Sequence, residues 1–361
     1  DSCVIKMLHS PHAHAYIKDL ETREAEAVPG VVMVLTYKNT PDVFYTSAGQ
    51  GFPEPSPYDR RMFDRKLYHV GDRVAAVVAE SEEIALSALE KIHVDYEVLK
   101  PVFTIEEAEA ADAPIIHNAR LEYVAGAPDD LELQNSTADP RDGKIIYQFP
   151  IGADAHKNVA ASVSGSIGDI ENGFAQADLI LERTYRTSQI QCTPCEPHIV
   201  FTRMDGERLV IHASTQVPWH LRRIVATILG ISENKVRVIK ERVGGGYGSK
   251  QEIMMEEVCA YATWKKGRPV YFRFTMEEDL ASSVTRFPMK IRVKLGAKKD
   301  GTLTSMYMDL KANSGPFANH GLTVPMNACS KSLPLFLCDN IKFDVKVFYS
   351  NIFPTGAYQG Y

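Results

Sequence analysis

Short hydrophobic runs rich in β-branched residues recur along the chain and alternate with polar turns. Such runs, bounded by Gly, Pro, Asn or Asp, predict β-strands. We predict strands at residues 3–9, 16–18, 31–35, 73–79, 93–99, 179–186, 199–203, 209–211, 235–239, 272–283, 289–295, 303–310 and 343–348. Asp205-Gly206 and Asp300-Gly301 lie between neighbouring runs and predict hairpin turns.

Apolar residues spaced three or four apart predict helices between several of these strands. We predict helices at residues 81–92, 168–177 and 218–230, and a last one that starts near Lys250 and ends near Trp264. Ser81 is a typical N-cap for the first, and Gly230 and Gly267 are typical stops for the last two. Strands interrupted by short helices predict an α+β fold.

The predicted elements divide into two parts joined by a polar stretch. Residues 1–110 predict a small α+β domain, and residues 166–361 predict a second, larger domain. Residues 111–165 contain many turn-forming and polar residues and predict a connector that wraps a surface. Residues 41–66 predict a long proline-containing loop, of a length usually found in functional or clamped loops.

Composition narrows the class of protein. The 361 residues are 45% hydrophobic and 24% charged, which is typical of a globular protein with a sizeable core. The net charge of −6, without a basic stripe, argues against nucleic acid as a partner. No apolar run approaches the ~20 residues of a membrane span, so we expect no membrane partner. Six scattered cysteines predict a reducing, cytoplasmic compartment.

One glycine-rich stretch carries the strongest local signal. It reads Arg242-Val243-Gly244-Gly245-Gly246-Tyr247-Gly248-Ser249-Lys250, with a predicted strand before it and a helical pattern starting near Lys250. Bare backbone at a helix N-terminus favours an anionic group, and a tight mobile turn is the alternative. The order of Ser249, Lys250 and Gln251 excludes a P-loop. Ser249 also stands where the dinucleotide fingerprint requires glycine.

Other residues with ligand chemistry have plainer interpretations. His12 and His14 alternate, but no Cys or carboxylate completes a metal set, so we interpret them as surface or hydrogen-bonded histidines. Cys192 and Cys195 form a lone Cys-x-x-Cys pair, which we interpret as structural thiols. Gln216 lies where a strand meets a helix N-terminus. A helix-capping role and a role facing the glycine loop both stay open for it.

Six motifs in this order resemble the molybdenum-cofactor subunit of the xanthine dehydrogenase/aldehyde oxidoreductase family, the molybdenum hydroxylases. They are Ser10-Pro11-His12-Ala13-His14-Ala15, Gly71-Asp72-Arg73-Val74-Ala75, Glu196-Pro197-His198, Ser214-Thr215-Gln216, residues 244–250 and residues 356–361. The resemblance extends over essentially the whole chain. It implies that residues 1–110 are the family's α/β hammerhead domain. Residues 166–361 would be the first, truncated part of its mixed α/β molybdopterin-binding domain.

The resemblance also assigns roles to residues. It implies that Gln216 lies near the oxo and sulfido ligands of the metal, and that no protein side chain ligates the metal directly. The implied cofactor-binding residues are Gly245, Gly246, Tyr247, Gly248, Tyr358 and Gln359. The implied substrate-contacting residues are Gln251, Asn327 and Tyr361. The family's catalytic Glu stands in a Gly-x-Gly-Glu setting that this sequence does not contain, so we expect the chain alone to be inactive.

Departures from the family pattern bear on the substrate. Gln251 stands where xanthine-oxidising relatives usually carry Glu, and Gln359 replaces a common Arg. The ending at residues 356–361 resembles purine hydroxylases of selenium-dependent systems. The resemblance implies a xanthine dehydrogenase-type hydroxylase that oxidises a purine or other N-heterocycle, with water as the oxygen source. Aldehyde oxidoreductase-type activity, or a non-catalytic half that completes a cofactor site with a partner chain, are the alternatives.

The resemblance also implies cofactors and partners. The cofactor is molybdenum-molybdopterin, with the cytosine dinucleotide as one form. The sequence contains no ferredoxin-type cysteine set and no flavin-binding region, so 2Fe-2S and FAD are expected on partner subunits or domains. A C-terminal molybdopterin-binding segment is a further expected partner. Because no Met opens the chain, we expect it to be cut from a longer polypeptide.

Overall fold

Three β-sheets form the framework of the described residues. The computed structural model describes residues 2–49, 51, 54–117 and 151–358. The strands are β1 Cys3–His9, β2 Ala15–Glu21, β3 Val31–Thr36, β4 Lys66–Leu67, β5 Arg73–Ala79, β6 His93–Val98, β7 Val159–Ile167, β8 Leu179–Arg186, β9 Ile199–Asp205, β10 Arg208–Ala213, β11 Val236–Ile239, β12 Val270–Arg273, β13 Met289–Ala297, β14 Leu303–Gly315 and β15 Ile341–Tyr349.

Eight α-helices of the described residues lie between and on these strands. They are α1 Arg23–Glu26, α2 Glu82–Leu89, α3 Ile105–Glu109, α4 Ile170–Ala175, α5 Pro218–Leu229, α6 Glu256–Lys266, α7 Met276–Ser282 and α8 Thr323–Ser332. Within this part of the chain, no helix is long and apolar enough to cross a membrane.

The largest sheet has seven strands and takes members from both predicted domains. Its strand order is β11-β10-β9-β12-β1-β5-β3. The two groups meet where β1 pairs in parallel with β12, which places Cys3 opposite Val270 and Val4 opposite Tyr271. Strand β5 is buried along its whole length, which explains its continuous apolar sequence. The domain boundaries near residues 110 and 165 stay predictions.

Helices α5 and α6 pack on this sheet and on each other. Leu221, Ile224 and Val225 lie on the buried face of α5, as their spacing predicts. Gly230 follows α5 and Gly267 follows α6, both with left-handed backbone (φ +65° and +67°). These glycines therefore end the helices as the sequence predicts.

The second sheet has five strands in the order β7-β15-β14-β13-β8. Helix α8 packs on β14 and β15, while the edge strand β8 leaves Leu179, Leu181 and Tyr185 exposed. Strand β7 begins at Val159, inside the stretch that we predicted as a connector. The hairpin predicted at Asp300-Gly301 is confirmed, because it joins the antiparallel strands β13 and β14. A third sheet contains β4, β2 and β6.

The predicted long loop at residues 41–66 lies across α6 and is held there by buried polar contacts. The hydroxyl group of Tyr45 donates to Oε1 of Glu257 at 2.7 Å. The hydroxyl group of Ser47 donates to Oε2 of Glu252 at 2.8 Å. The described residues of this loop are therefore fixed against the second half of the chain, and most of them have no regular secondary structure.

The strand predicted at residues 272–283 is wrong, since this stretch divides into β12 and α7. Thr275 and Glu278 form a capping box at the start of α7. The N–H of Glu278 donates to Oγ1 of Thr275 at 3.1 Å, and the N–H of Thr275 donates to Oε2 of Glu278 at 2.7 Å. These local bonds satisfy backbone donors that a helix start leaves free, and they outweigh the apolar pattern.

The helix predicted to begin near Lys250 begins at Glu256 instead. A single 3-10 turn at Ser249–Gln251 comes first, and Glu252 is extended with φ −93° and ψ 152°. Burial of the Lys250 and Glu252 side chains holds this stretch in place and keeps it out of the α-helix. The glycine loop is therefore not at an α-helix N-terminus, and any anion binding there rests on its own N–H groups.

Candidate functional site

The glycine loop at residues 244–248 lies close against two other segments. A Cβ atom on Gly248 would lie 2.5 Å from the carbonyl oxygen of Ala357, and one on Gly246 would lie 2.5 Å from Oε1 of Gln216. Gly248 also has a φ of +99°, which side chains rarely adopt. Gly248 therefore requires glycine, because a side chain there would meet backbone, whereas a Cβ atom at Gly246 would displace the end of the Gln216 side chain.

Successive N–H groups of this loop are available to a ligand. Within the described ranges, the N–H groups of Gly245, Gly246 and Tyr247 donate no hydrogen bond to protein. Tyr247 has φ +51°, and its side chain is half exposed. Neighbouring N–H groups in such a turn form a concave site for an anionic oxygen.

Gln216 joins the end of β10 to the glycine loop. Its N–H donates to the carbonyl oxygen of Lys250 at 2.8 Å, and the N–H of Gly248 donates to its Oε1 at 3.2 Å. The N-cap of α5 is Val217, so the helix-capping interpretation of Gln216 is wrong. The exposed amide NH2 group makes no hydrogen bond to a described residue and remains a donor.

Glu196 and Lys250 hold the start of the glycine loop. Oε2 of Glu196 accepts hydrogen bonds from Oγ of Ser214 at 2.5 Å, from the N–H of Gly244 at 2.8 Å and from Nζ of Lys250 at 2.8 Å. The Lys250 side chain is fully buried. Partial burial raises the pKa of Glu196, but the bonds from Lys250, Ser214 and Gly244 hold that pKa below its usual range.

His198 supports the end of the same loop from below. Its Nδ1 lies 3.1 Å from Oδ1 of Asp279, and its Nε2 lies 3.4 Å from the carbonyl oxygen of Ser249. Burial raises the pKa of Asp279, but the contacts with His198 oppose this effect and hold that pKa below its usual range. The Glu196-Pro197-His198 motif thus positions the loop from both sides.

The loop before the C-terminal residues lies against the glycine loop. The N–H of Gly356 donates to the carbonyl oxygen of Thr285 at 3.0 Å. The guanidinium carbon of Arg286 lies 5.4 Å from the ring centroid of Tyr358. A Cβ atom on Gly248 would lie 2.7 Å from the backbone nitrogen of Tyr358, so Tyr358 lies next to the glycine loop. The predicted site residues Gln359 and Tyr361 lie outside the described residues.

A cleft of about 500 Å³ opens beside Gln216. Its described lining is Gly49, Gln216, Val217, Pro218, Trp219, His220, Arg223 and Gln251. Gln251 and Gln216 therefore share one cleft, as their predicted roles require. Asn327 lies on α8 and is not among these lining residues, so its substrate role stays a prediction from resemblance alone.

The residues of this region fit a cofactor that brings its own metal and anionic oxygens. Among residues 2–49, 51, 54–117 and 151–358, no group of three or more His, Cys, Asp or Glu could hold a metal ion. The described groups facing the cleft and the loop include neutral donors, namely loop N–H groups and the amide of Gln216. Such donors hold oxo or phosphate oxygens without displacing other ligands of a metal.

Sequence reasoning missed two buried carboxylate–histidine pairs. Nδ1 of His220 lies 3.0 Å from Oε1 of Glu54, and Nδ1 of His320 lies 2.5 Å from Oε1 of Glu252. His220 carries an available signal, because it lies beside the apolar face of α5, where a histidine needs a partner. Glu54 and His320 carry no such local signal, since their partners are distant in sequence.

Comparisons with known proteins identify the family of this chain. Residues 151–361 match the molybdopterin cofactor-binding domain family, and residues 1–100 match the a/b hammerhead domain of aldehyde oxidase and xanthine dehydrogenase. The chain is 62% identical over 361 residues to the probable hypoxanthine oxidase of Escherichia coli strain K12. This similarity covers 100% of this chain and 38% of that protein, so the chain spans well under half of the relative.

Two further relatives extend the comparison. The chain is 28% identical over 349 residues to the large molybdopterin subunit of nicotinate dehydrogenase from Eubacterium barkeri, covering 96% of this chain and 72% of that subunit. The aldehyde oxidoreductase structure from Desulfovibrio gigas matches with a TM-score of 0.79 at 27% identity, covering 100% of this chain and 36% of that one. These findings confirm the predicted fold class and the hammerhead domain. The chain belongs to the molybdopterin cofactor-binding domain family of the molybdenum hydroxylases.

Proposed function

We propose that this chain is the molybdenum-cofactor-binding portion of a xanthine dehydrogenase-type hydroxylase. The assembled enzyme oxidises a purine or another N-heterocycle, with water as the source of oxygen. Hypoxanthine is the first candidate, because the relative with 62% identity is named a probable hypoxanthine oxidase. When bound, the molybdenum cofactor supplies the redox chemistry. Since the chain spans 38% of that relative, the activity is proposed for the assembled enzyme.

The meeting of Gln216 with the glycine loop at one side of the cleft carries this proposal. The bond from Gly248 to Oε1 of Gln216 fixes the amide, so that its NH2 group is directed away from the loop as a donor. Donors fixed before the reaction stabilise oxygen atoms that gain negative charge. Trp219, which is 72% exposed, and Gln251 provide a flat apolar face and a hydrogen-bonding amide for a planar heterocycle.

The proposed roles follow the positions of the residues. Gln216 holds an oxygen ligand of the cofactor by hydrogen bonding. The backbone at Gly245, Gly246, Tyr247, Gly248 and Tyr358 binds the cofactor, and Gln251 contacts the substrate. Asn327, Gln359 and Tyr361 keep the substrate and cofactor roles that the family resemblance implies for them. No side chain of this chain is proposed as a direct metal ligand.

We further propose that the cofactor site is completed by a C-terminal molybdopterin-binding segment that supplies the catalytic Glu. Partner subunits or domains would hold the 2Fe-2S and FAD groups, which would supply electron transfer, because this sequence has no cysteine set for a cluster. The cytosine dinucleotide is the proposed form of the cofactor. A cytoplasmic location is proposed as well, in agreement with six free cysteines.

Aldehyde oxidation is a second candidate activity. The TM-score of 0.79 to an aldehyde oxidoreductase over the whole chain favours it. A third candidate is a non-catalytic half that completes a cofactor site with a separate chain. The three candidates differ in which assembled sample holds cofactor and in which substrate it oxidises.

The test begins with molybdenum and pterin analysis of the chain alone and of the chain with its co-purifying proteins. We expect molybdenum and pterin only in the assembled sample. That sample should also oxidise hypoxanthine when a dye is supplied as electron acceptor. Oxidation of benzaldehyde, with no heterocycle oxidised, would support the aldehyde candidate instead. Absence of molybdenum and pterin from the assembled sample would exclude both enzymatic candidates.

A further inference from the structure

A buried imidazole lies in the cleft wall next to Gln216. His220 stands in the first turn of α5, is 2% exposed, and lines the same cleft as Gln216 and Gln251. None of the roles proposed above uses this histidine. Its position beside two hydrogen-bonding amides makes it a candidate for substrate recognition.

Glu54 fixes the orientation of the His220 ring. Oε1 of Glu54 lies 3.0 Å from Nδ1 of His220 and accepts a hydrogen bond from Nη2 of Arg223 at 3.0 Å. The hydroxyl group of Tyr58 donates to Oε2 of Glu54. Burial raises the pKa of Glu54, but contacts with His220, Tyr58 and Arg223 hold that pKa below its usual range. Glu54 is therefore a carboxylate at neutral pH and accepts the proton-bearing Nδ1.

Gly49 holds the ring from its other edge. A Cβ atom at Gly49 would lie 2.0 Å from Cδ2 of His220, so the backbone of Gly49 lies directly against the imidazole. A ring held between a carboxylate and a backbone edge has one orientation, because turning it over would lose the bond to Glu54. The direction of Nε2 is therefore fixed as well.

Nε2 of His220 is buried and has no hydrogen-bond partner in the part of the chain that the structure describes. When Nδ1 of a neutral imidazole carries the proton, Nε2 is a hydrogen-bond acceptor. A buried acceptor without a partner destabilises a protein unless a ligand or water satisfies it.

We propose that His220, positioned by Glu54, determines specificity by accepting a hydrogen bond from a ring N–H of the substrate. The inference rests on the proposed function and names the feature that the substrate must carry. Lactams and azoles such as hypoxanthine have ring N–H donors, whereas aldehydes have none. A site built to accept such a bond rejects analogues that lack the donor.

The test uses the assembled enzyme and three ligands: hypoxanthine, 1-methylhypoxanthine and 9-methylhypoxanthine. Each methyl group removes one ring N–H. Binding is measured by calorimetry on enzyme from cells grown without molybdate, and KM and kcat are measured on enzyme with cofactor. We expect the wild type to bind one methyl derivative roughly tenfold more weakly than hypoxanthine. This factor corresponds to the loss of one hydrogen bond together with a steric clash of the methyl group.

The variants separate hydrogen bonding from packing. His220→Phe fills the space without a nitrogen, and we expect it to reduce that tenfold preference to about twofold or less, with kcat little changed. His212→Phe, on β10 and outside the cleft lining, is the matched control and should keep the wild-type preference. Should His220→Phe fail to assemble, Glu54→Leu provides the same comparison, because it removes the acceptor that fixes the ring.

A wild-type preference that survives in His220→Phe and in Glu54→Leu would overturn the inference while leaving the proposed function intact. An enzyme that oxidises benzaldehyde and binds none of the three purines would overturn the proposed function, and this inference with it. The two failures are therefore distinguishable in one set of measurements.

Discussion

At the scale of single residues, the glycine loop is positioned by side chains that lie behind it. Glu196 and His198 contact Gly244 and Ser249 at either end of the loop. Lys250 reaches back under the loop to Glu196 with a fully buried side chain. The loop N–H groups proposed to bind the cofactor therefore lie in a backbone that charged side chains hold at both ends.

We expect Gln216→Ala in the assembled enzyme to lower kcat while molybdenum and pterin content stay unchanged. In its proposed role Gln216 donates to an oxygen near the reacting atoms, and one such donor typically contributes about 10²–10³ in kcat. Activity and metal content are measured on the same preparation. Gln176→Ala, at the exposed end of α4, serves as the control. Loss of molybdenum from Gln216→Ala would show a structural role instead.

We expect Lys250→Met to destabilise the chain by about 2 kcal/mol, less than a fully buried pair would, because Glu196 is 34% exposed on its side chain. Urea unfolding measures the free energy. Lys235→Met is the control, since Lys235 pairs with Glu207 at 3.6 Å on the surface and should change stability by less than about 0.5 kcal/mol. Equal effects of the two substitutions would contradict the role of the Lys250 pair.

The same pair predicts a pH dependence. The folded pKa of Glu196 is lowered, so its contribution is complete above its unfolded pKa of about 4.3 and is lost as pH falls through the folded pKa. Glu196→Gln should therefore be less stable than wild type at pH 7, and the difference should shrink below about pH 4. Thermal unfolding at several pH values measures the difference. A constant difference across pH 3 to 7 would be inconsistent with this ionisation.

At the scale of elements, agreement between sequence and structure follows the range of the interactions. Strands β1, β5 and β8 lie where their apolar runs predict, because strand formation there follows a local pattern. The run at residues 272–283 is misread because a capping box between Thr275 and Glu278 competes with that pattern. Local interactions determine the structure both in these strands and at the start of α7, so both could be predicted from the sequence.

The helix expected at Lys250 shows where local reading ends. The side chain of Lys250 is buried because it bonds to Glu196, a residue far away in the sequence, and a local pattern does not contain this contact. The Glu54–His220 pair depends on another, across 166 positions. The glycine loop was singled out from the sequence because four glycines in five residues are unusual in any local setting, whereas the role of Gln216 came from the family resemblance. Their supporting carboxylates were not, because an isolated Glu reads as a surface residue.

The close contact of the glycine loop with the loop at residue 357 predicts a large effect of one methyl group. Gly248→Ala adds a Cβ 2.5 Å from a backbone carbonyl oxygen at a φ of +99°, so we expect a loss of about 2–3 kcal/mol. Gly206→Ala is the matched control, with φ +58° and open space around its Cβ, and should cost about 1 kcal/mol. Urea unfolding of both variants gives the comparison, and a smaller loss at Gly248 than at Gly206 would contradict the contact.

At the scale of the whole molecule, the two family segments are joined by a buried ion pair as well as by a sheet. Arg73 on β5 donates to Oε1 of Glu257 on α6 and to the carbonyl oxygen of Met254. The hydroxyl group of Tyr45 donates to the same Glu257 oxygen. The hammerhead segment thus supplies the only cation in direct contact with Glu257 among the described residues.

We expect Arg73→Met to destabilise the chain by about 3–5 kcal/mol, since it leaves Glu257 buried without its partner charge. The double variant Arg73→Met/Glu257→Met should recover part of that loss, because no charge then stays buried alone. Arg268→Met is the control, as Arg268 pairs with Glu80 on the surface. The free energies of unfolding of all three variants test this prediction. A double variant less stable than Arg73→Met would contradict the role of the ion pair.

The parallel pairing of β1 with β12 also delays completion of the sheet during synthesis of the chain. Translation at about 5–20 residues per second needs roughly 15–50 seconds to pass from Cys3 to Val270. During that interval β1 can pair with β5, but its other edge has no strand to receive it. An unpaired strand edge is a template for pairing with other chains. Chaperone demand and aggregation of this protein should therefore depend on translation speed between β5 and β12 more than on the stability of the finished fold.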